Sequence, residues 1–168
     1  MNIENLNANE LIAEMASQMR PEINRETALI GIASGGLLIV NELLSRFPDI
    51  LYAGKVDVGL HRDDFGIRGM GKSQAGTEIT FDIEEKQIII VDDVIGTGRT
   101  ARAAMNELFD FGRPKSIKLA VLIDRGGREL PIAPDYIGTF LEVGYKQEIV
   151  VVDDRNHGLS IQIKRSMG

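Results

Sequence analysis

The sequence predicts an α/β fold, a doubly wound and mostly parallel sheet flanked by helices. Three observations predict it: short apolar runs alternate with amphipathic helical segments, each apolar run ends on a polar or glycine turn, and the connections are short. In such sheets, ligands bind where the carboxyl ends of the strands meet. A chain of 168 residues is expected to form a single domain over 1–168.

The first half of the chain supplies two helices and two strands in this prediction. Apolar residues spaced by three and four predict a helix over 9–19. A buried strand is expected at 27–33, and a helix follows it at 37–47. Alternating residues predict a strand at 54–62. The glycine-rich stretch 63–82 is too long for an ordinary connection, so we expect it to be a functional or mobile loop.

The second half continues the alternation of strands and helices. Residues 86–93 are bulky and β-branched on both faces, which is typical of a central strand in a parallel sheet. The helix after them has one apolar face, formed by Ala101, Ala104, Met105 and Leu108. The remaining expected elements are a strand at 116–124, a turn-rich stretch at 125–144 and a last strand at 147–154.

The composition excludes several classes of protein. The chain has no cysteine, so disulfides and thiolate chemistry are excluded. Its net charge of −6 argues against a surface built for nucleic acid. The polar N-terminus does not resemble a secretory signal, and no apolar run reaches the ~18 residues of a membrane span. We therefore expect a soluble, cytoplasmic protein that does not bind membranes.

The stretch "IIIVDDVIGTGRT" places two acids and a phosphate-binding turn at the end of one strand. The first N–H groups of a helix have no internal partners, so the turn and helix start after the acids suit a phosphate. Acceptor-only carboxylates suit paired hydroxyls or Mg²⁺. A phosphate with a vicinal diol nearby describes a ribose 5-phosphate. The residues concerned are Asp92, Asp93, Gly96, Thr97, Gly98, Arg99 and Thr100.

Other interpretations of this turn remain open from the residues alone. It could be an ordinary connection between strand and helix, in which Asp93 and Thr97 are caps. The P-loop pattern G-x-x-x-x-G-K-[ST] and the dinucleotide pattern G-x-G-x-x-G are both missing from it. A response-regulator pocket also clusters aspartates, but it would place an acidic pair after the first strand rather than in mid-chain.

The same stretch closely resembles the phosphoribosyl pyrophosphate (PRPP) motif of type I phosphoribosyltransferases. Three further segments resemble the pyrimidine-operon regulator/uracil phosphoribosyltransferase family, PyrR: "GIASGG" at 31–36, "RDDF" at 62–65, and "ELFDFGRPKSIKLAVLIDRGGRELPIAPDYIG" at 107–138. The resemblance runs in order over residues 8 to 153 without large gaps. It implies the type I phosphoribosyltransferase fold with a small hood.

The resemblance assigns roles to individual residues. Asp92 and Asp93 would hold the ribose hydroxyls, the turn 97–100 would hold the 5′-phosphate, and Mg²⁺ would arrive with PRPP and bind near the two acids. The pyrophosphate loop would be Ala33, Ser34, Gly35 and Gly36. A flexible lid loop at 63–82 would follow the catalytic Arg62 and would contain Asp63, Asp64, Arg68 and Lys72. A hood at 124–146 would cover the base, using backbone groups near Ile123, Arg128 and Ile132.

The implied reaction converts uracil and PRPP into UMP and pyrophosphate, a step of pyrimidine salvage. C1′ becomes oxocarbenium-like as pyrophosphate leaves, so the enzyme would mainly position the reactants, neutralise the leaving group and exclude water. Purine-using relatives usually carry an aspartate where this chain has Gly96, which favours a pyrimidine. No general base can be named from the sequence.

Three departures from the family weaken the alternative function, an RNA-binding regulator that senses UMP or UTP. Ala33, Ser34 and Gly35 stand where members usually have a side chain and then threonine-arginine, Gly127 stands where histidine is frequent, and His61 stands where tyrosine is usual. A PRPP-sensing protein without turnover stays open, and a purine phosphoribosyltransferase is disfavoured. Apolar positions on the first helix and at 141–152 suggest a homodimer or higher homo-oligomer.

Overall fold

The structure is a computed structural model that describes residues 6–59, 76–144, 147–154 and 158–165. Its elements in chain order are α1 (Ala8–Met19), a 3₁₀ turn (Arg20–Glu22), β1 (Thr27–Ile32), α2 (Gly35–Arg46), β2 (Tyr52–Val56), β3 (Gln87–Ile95), α3 (Arg99–Phe109), β4 (Ser116–Asp124), β5 (Tyr136–Phe140), β6 (Gln147–Asp154) and β7 (Gly158–Arg165). Within these residues, no helix is both long and apolar enough to cross a membrane.

Five strands form one parallel sheet in the order β2-β1-β3-β4-β5. β3 lies at its centre and is the predicted bulky strand. All six residues of β1 and most of β3 are buried, because helices cover both faces of the sheet. The predicted doubly wound α/β fold is therefore confirmed.

Alternate residues of the central strands supply two separate cores. On one face, Leu29 and Ile89 pack with the apolar sides of α1 and α2. On the other face, Ile30 and Ile88 pack with the apolar side of α3, which includes the predicted Ala101, Ala104 and Leu108. The side-chain period of two in a strand explains why successive residues enter different cores.

Two strand predictions differ from the structure. The strand expected at 54–62 is observed at Tyr52–Val56, because β1 pairs with β2 only as far as its own last residue, Ile32, which lies opposite Val56. The segment predicted as turn-rich contains β5, whose short sequence is interrupted by Gly138. A Cβ at Gly138 would lie 2.5 Å from the Leu122 carbonyl oxygen, so the strand needs glycine there.

The predicted last strand is present as β6, but it lies outside the parallel sheet. It pairs antiparallel with β7, which was not predicted as a strand. Ile149 and Val151 of β6 are buried in the core that contains α1 and α2. Residues alternate between buried and less buried along β6, as expected of a strand covered on one face.

Candidate active site

The carboxyl ends of β1, β3 and β4 meet at one edge of the sheet, since the three strands are parallel neighbours. The loop after β1 leads into α2, the turn after β3 leads into α3, and a long connection follows β4. These three segments contain the predicted pyrophosphate loop, phosphate turn and hood. The fold therefore brings together the site residues that fall within the described part of the chain.

Asp92 and Asp93 are buried near the end of β3, with relative exposures of 4% and 6%. The Asp93 N–H donates to Asp92 Oδ1 at 2.9 Å, and the Val94 N–H donates to Asp93 Oδ1 at 3.0 Å. Each carboxylate thus accepts a hydrogen bond from the next backbone N–H. These bonds satisfy part of the hydrogen-bonding capacity of two adjacent buried carboxylates.

The loop before α2 packs directly against the acidic end of β3. A Cβ on Gly35 would lie 2.2 Å from Asp93 Oδ2, and a Cβ on Gly36 would lie 2.2 Å from the Val91 carbonyl oxygen. Both contacts are far closer than real side chains allow, so the two glycines permit the approach. The absence of arginine at position 35 now has a physical reason, since a side chain there would have to displace the Asp93 carboxylate.

The start of α2 has the features of an anion-binding site. Its N-cap, Ser34, makes no side-chain hydrogen bond to the helix, and the first turn holds no acidic residue. The peptide bond between Ala33 and Ser34 is cis. The Ala33 N–H donates to the Val56 carbonyl at 3.0 Å, which fixes the loop to β2. The start of α2 therefore lies against the acidic end of β3, and its N-cap residue supplies no capping side chain.

The turn after β3 presents a second helix start beside the first. Gly98 is the N-cap of α3 with φ +93°, a conformation that favours glycine, and it makes no side-chain cap. The Arg99 N–H donates to Thr97 Oγ1 at 3.2 Å. The first turn of α3 contains no acidic residue. Asp92 and Asp93 therefore stand on the strand that leads into α3 and beside the loop that leads into α2, and neither helix has a side-chain cap from its N-cap residue. Both helix starts suit a phosphate group.

Backbone hydrogen bonds attach the hood segment to this turn. The N–H groups of Glu129 and Leu130 both donate to the Thr97 carbonyl, at 3.0 and 3.2 Å. The Arg125 N–H donates to the Ile95 carbonyl at 3.0 Å. A Cβ on Gly98 would lie 3.4 Å from Ile132 Cβ, so this part of the hood packs against the turn.

The side chain of Arg128 also joins the hood segment to the turn after β3. Its guanidinium donates to Asp124 Oδ1 and Oδ2 at 3.0 and 2.5 Å, to the Gly96 carbonyl at 2.8 Å, and to the Ile132 carbonyl at 2.7 Å. The charged pair is half-buried, with 24% and 13% of the side chains exposed. Arg128 thus holds the hood in place. Ile123 is fully buried inside β4, which leaves only its backbone for a ligand.

Glu129 was not predicted as a site residue, but it lies at the phosphate turn. Its carboxylate accepts from Arg99 Nη2 at 2.6 Å and from Arg99 Nε at 2.9 Å. Both side chains are more than half exposed, so the pair is weak and can open. No spacing in the sequence predicts this pair, because Arg99 begins α3 whereas Glu129 lies on the loop after β4.

The predicted lid residues Arg62, Asp63, Asp64, Arg68 and Lys72, together with His61, lie outside the described residues. The described end of that loop returns beside β2, where Glu78 pairs with Lys55 through two backbone hydrogen bonds. In the described ranges, no cluster of three His, Cys, Asp or Glu side chains is arranged to hold a metal ion by itself.

Comparisons with known proteins identify the class of protein to which this chain belongs. A family model described as the phosphoribosyl transferase domain matches residues 2–155. A hypoxanthine phosphoribosyltransferase from Staphylococcus aureus superposes with a TM-score of 0.63 at 19% identity, covering 80% of this chain and 73% of that one, which shows the shared fold. The chain therefore belongs to the type I phosphoribosyltransferases, as its sequence motif predicted.

Two related proteins show where the chain belongs within the phosphoribosyltransferases. The bifunctional protein PyrR of Ralstonia nicotianae is 44% identical over 141 residues, which cover 84% of this chain and 80% of that protein. The bifunctional protein PyrR of Nitrosococcus oceani is 36% identical over 164 residues, which cover 96% and 92%. Within the phosphoribosyltransferases, the chain belongs with the PyrR proteins.

Proposed function

We propose that this protein transfers the phosphoribosyl group of PRPP to uracil, forming UMP and pyrophosphate. The observation that carries the proposal is the buried pair Asp92 and Asp93 beside the starts of α2 and α3. PRPP has a 5′-phosphate, a diol and a pyrophosphate, and these three groups match the turn 97–100, the acids and the loop 33–36. A PyrR relationship and the missing side chain at Gly96 support a pyrimidine as the acceptor base.

The residues of the site would act chiefly by binding and orientation. Asp92 and Asp93 accept hydrogen bonds from the 2′ and 3′ hydroxyls, and their negative charge favours the positive charge that develops on the ribose. The backbone N–H groups at the starts of α2 and α3 hold the two phosphate ends. Because the ribose is fixed at both ends, C1′ is presented to the base in one orientation.

Mg²⁺ fits this site chemically, because carboxylates are the hard oxygen ligands that this ion prefers. Asp92 and Asp93 are the described residues that would hold it, directly or through water, and their burial limits competition from bulk solvent. The ion would neutralise charge on the departing pyrophosphate.

The test is UMP formation from uracil and PRPP with Mg²⁺, compared between the wild type, Asp93→Asn and Asp153→Asn. Asp93→Asn keeps the shape of the buried side chain but removes its charge. We expect the affinity for PRPP to fall about ten- to hundredfold, the range for a lost charge-assisted hydrogen bond. Asp153 is exposed on β6 in a second Val-Asp-Asp sequence, so Asp153→Asn is the matched control and should behave as the wild type.

Several outcomes would separate the alternatives. Absence of turnover with every pyrimidine, together with intact PRPP binding, would favour a nucleotide-sensing protein. Preferred turnover of a purine in a base-competition assay would contradict the proposed acceptor. Full activity in Asp93→Asn would contradict the assigned diol site.

A second candidate function is RNA-binding regulation through the same nucleotide pocket. The relatives are named bifunctional, and the PyrR resemblance pairs the enzyme with an operon regulator. A gel-shift assay with a pyrimidine-operon leader, with and without UMP, tests it at moderate salt. Because phosphate contacts release counterions, specific binding should weaken as the salt concentration rises.

A further inference from the structure

The side chain of Arg125 lies directly over Gly96. A Cβ on Gly96 would be 2.8 Å from Arg125 Nε and 3.4 Å from both Cζ and Nη2. The guanidinium therefore occupies the space that a side chain at position 96 would take. Arg125 is half-buried, and its guanidinium has no hydrogen-bonding or ion-pair partner among the described residues. Arg99 and Arg128, by contrast, are both paired with carboxylates.

The order of the strands determines which part of a ligand Arg125 would meet. The pyrophosphate loop follows β1, the ribose acids and phosphate turn belong to β3, and Arg125 follows β4. Because β3 lies between β1 and β4, Arg125 is on the opposite side of the ribose site from the pyrophosphate loop. In a displacement at C1′, the incoming nucleophile approaches opposite the leaving group. Arg125 therefore lies on the side from which the base must enter.

The reaction creates a need for a cation at that place. The C1′–O bond breaks and its electron pair leaves with pyrophosphate, while N1 of the pyrimidine forms the new bond to C1′ and the N1 proton is released to solvent. As N1 loses its proton, negative charge spreads onto the adjacent carbonyl oxygen, O2. A guanidinium can donate two hydrogen bonds in its plane and stays charged at all relevant pH values.

We propose that Arg125 binds the O2 carbonyl of the acceptor pyrimidine and that Gly96 provides the space for it. This inference rests on the proposed uracil transfer. Arg125 thereby stabilises the negative charge that develops on the base as the N1 proton leaves. Specificity follows as well, because Arg125 offers donors only and selects a base with an acceptor next to the attacking nitrogen.

The proposal makes positions 96 and 125 interdependent. In Gly96→Ala the new methyl group must displace the guanidinium, which is the mobile end of a long side chain, so the fold should be kept. The backbone at Gly96 does not have a positive φ that would exclude alanine. Gly96→Ala and Arg125→Gln should therefore damage the same interaction by different routes.

The experiment measures KM for uracil, KM for PRPP and kcat in wild type, Arg125→Gln, Gly96→Ala and the double variant. We expect KM for uracil to rise about ten- to hundredfold in Arg125→Gln, the range for a lost charge-assisted hydrogen bond, while KM for PRPP stays within about twofold. Gly96→Ala should raise KM for uracil in the same direction, and the double variant should be no worse than Arg125→Gln. Arg102→Gln, an exposed arginine on α3, is the control.

Calorimetric titration with UMP and with ribose 5-phosphate distinguishes a contact of Arg125 with the base from a contact with the phosphate. If Arg125 binds the base, Arg125→Gln weakens UMP and leaves ribose 5-phosphate unchanged. Equal weakening of both ligands would overturn the proposal, because the contact would then be to the phosphate. Multiplying effects in the double variant would also overturn it. A wild type without UMP synthesis would contradict the proposed function, and the UMP titration would still decide the role of Arg125.

Discussion

Replacing Arg128 with alanine removes four hydrogen bonds that join the hood to the phosphate turn. Two of these bonds go to the Asp124 carboxylate, one to the Gly96 carbonyl and one to the Ile132 carbonyl. The substitution leaves the Asp124 side chain, 13% exposed, without its cationic partner. We therefore expect Arg128→Ala to lower stability and to loosen the attachment of residues 124–132 to the turn after β3.

The expected loss in free energy of unfolding follows from the partial burial of the ion pair between Arg128 and Asp124. Removing one partner of a fully buried ion pair costs about 3–5 kcal/mol, because the other charge is left uncompensated. Here, partial exposure admits some water, and alanine also removes two bonds to carbonyl groups that can accept from water instead. The net loss in free energy of unfolding should be about 2–4 kcal/mol. For a domain of this size that lowers Tm by roughly 4–16 °C.

Urea and thermal denaturation of Arg128→Ala, Arg102→Ala and the double variant Arg128→Ala/Asp124→Asn measure this effect. Arg102→Ala should lie within about 0.5 kcal/mol of the wild type, because that residue is exposed. The double variant should regain about 1–2 kcal/mol relative to Arg128→Ala, since the unpaired charge is gone. An Arg128→Ala protein as stable as the Arg102→Ala control would refute the conclusion that the hydrogen bonds of Arg128 hold the hood in place.

Three further predictions concern the glycines, the exposed ion pair and a charged pair far from the site. Gly36→Ala places a methyl group 2.2 Å from a backbone carbonyl, so it should lower stability by about 1–3 kcal/mol. Gly35→Ala would displace the buried Asp93 side chain, whose Oδ2 and Cβ lie 2.2 and 2.9 Å from the new methyl group, so it should weaken binding of ribose 5-phosphate as well as stability. Glu129→Gln should tighten that ligand about two- to fivefold, because it frees an arginine at the phosphate turn. The hydrogen bond between Lys118 and Glu22 raises the pKa of the lysine above its ordinary 10.5 and lowers the pKa of the glutamate below 4.5. Stability from this pair is therefore complete between those values and is lost as pH rises through the lysine pKa or falls through the glutamate pKa.

Each of these predictions has its own control. Gly76→Ala has open space at its Cβ and should keep the stability of the wild type. Glu14→Gln, an exposed site on α1, controls for the change in net charge and should leave ligand affinity unchanged. For the charged pair, Lys118→Met should flatten the acid and alkaline edges of a Tm-against-pH curve. Curves of identical shape for Lys118→Met and the wild type would contradict the pKa argument.

The fold was predictable because its main signals are local. A bulky run such as residues 86–93 identifies a central strand whatever surrounds it, and the glycine and threonine residues after it identify a turn into a helix. β5 was missed because its apolar sequence is short and contains Gly138, whose requirement for glycine comes from the Leu122 carbonyl on the neighbouring strand. Such a contact between distant segments leaves no periodic pattern in the sequence.

The location of the candidate site was also predictable from local motifs. The two turns and the acids of these motifs lie at one edge of the sheet in the structure, whereas their roles stay predictions. The close contact between Gly35 and Asp93 is different, since it joins segments separated by nearly sixty residues of sequence. Arg128 and Glu129 likewise acquire their side-chain partners, and Arg125 its place over Gly96, only when the loop after β4 folds over the turn after β3. Three charged residues within "RGGREL" were the one local signal that this loop carries more than backbone groups.

The two hydrogen bonds accepted by the Thr97 carbonyl bear on how this enzyme could be re-engineered. A hood taken alone from another phosphoribosyltransferase would meet a turn whose carbonyl geometry was matched to Glu129 and Leu130. Residues 95–100 and 124–132 therefore form one unit for exchange between proteins, although α3 and β4 separate them in the sequence. We expect chimaeras that move both segments together to transfer base preference, and laboratory evolution toward a new base to accumulate paired changes across them.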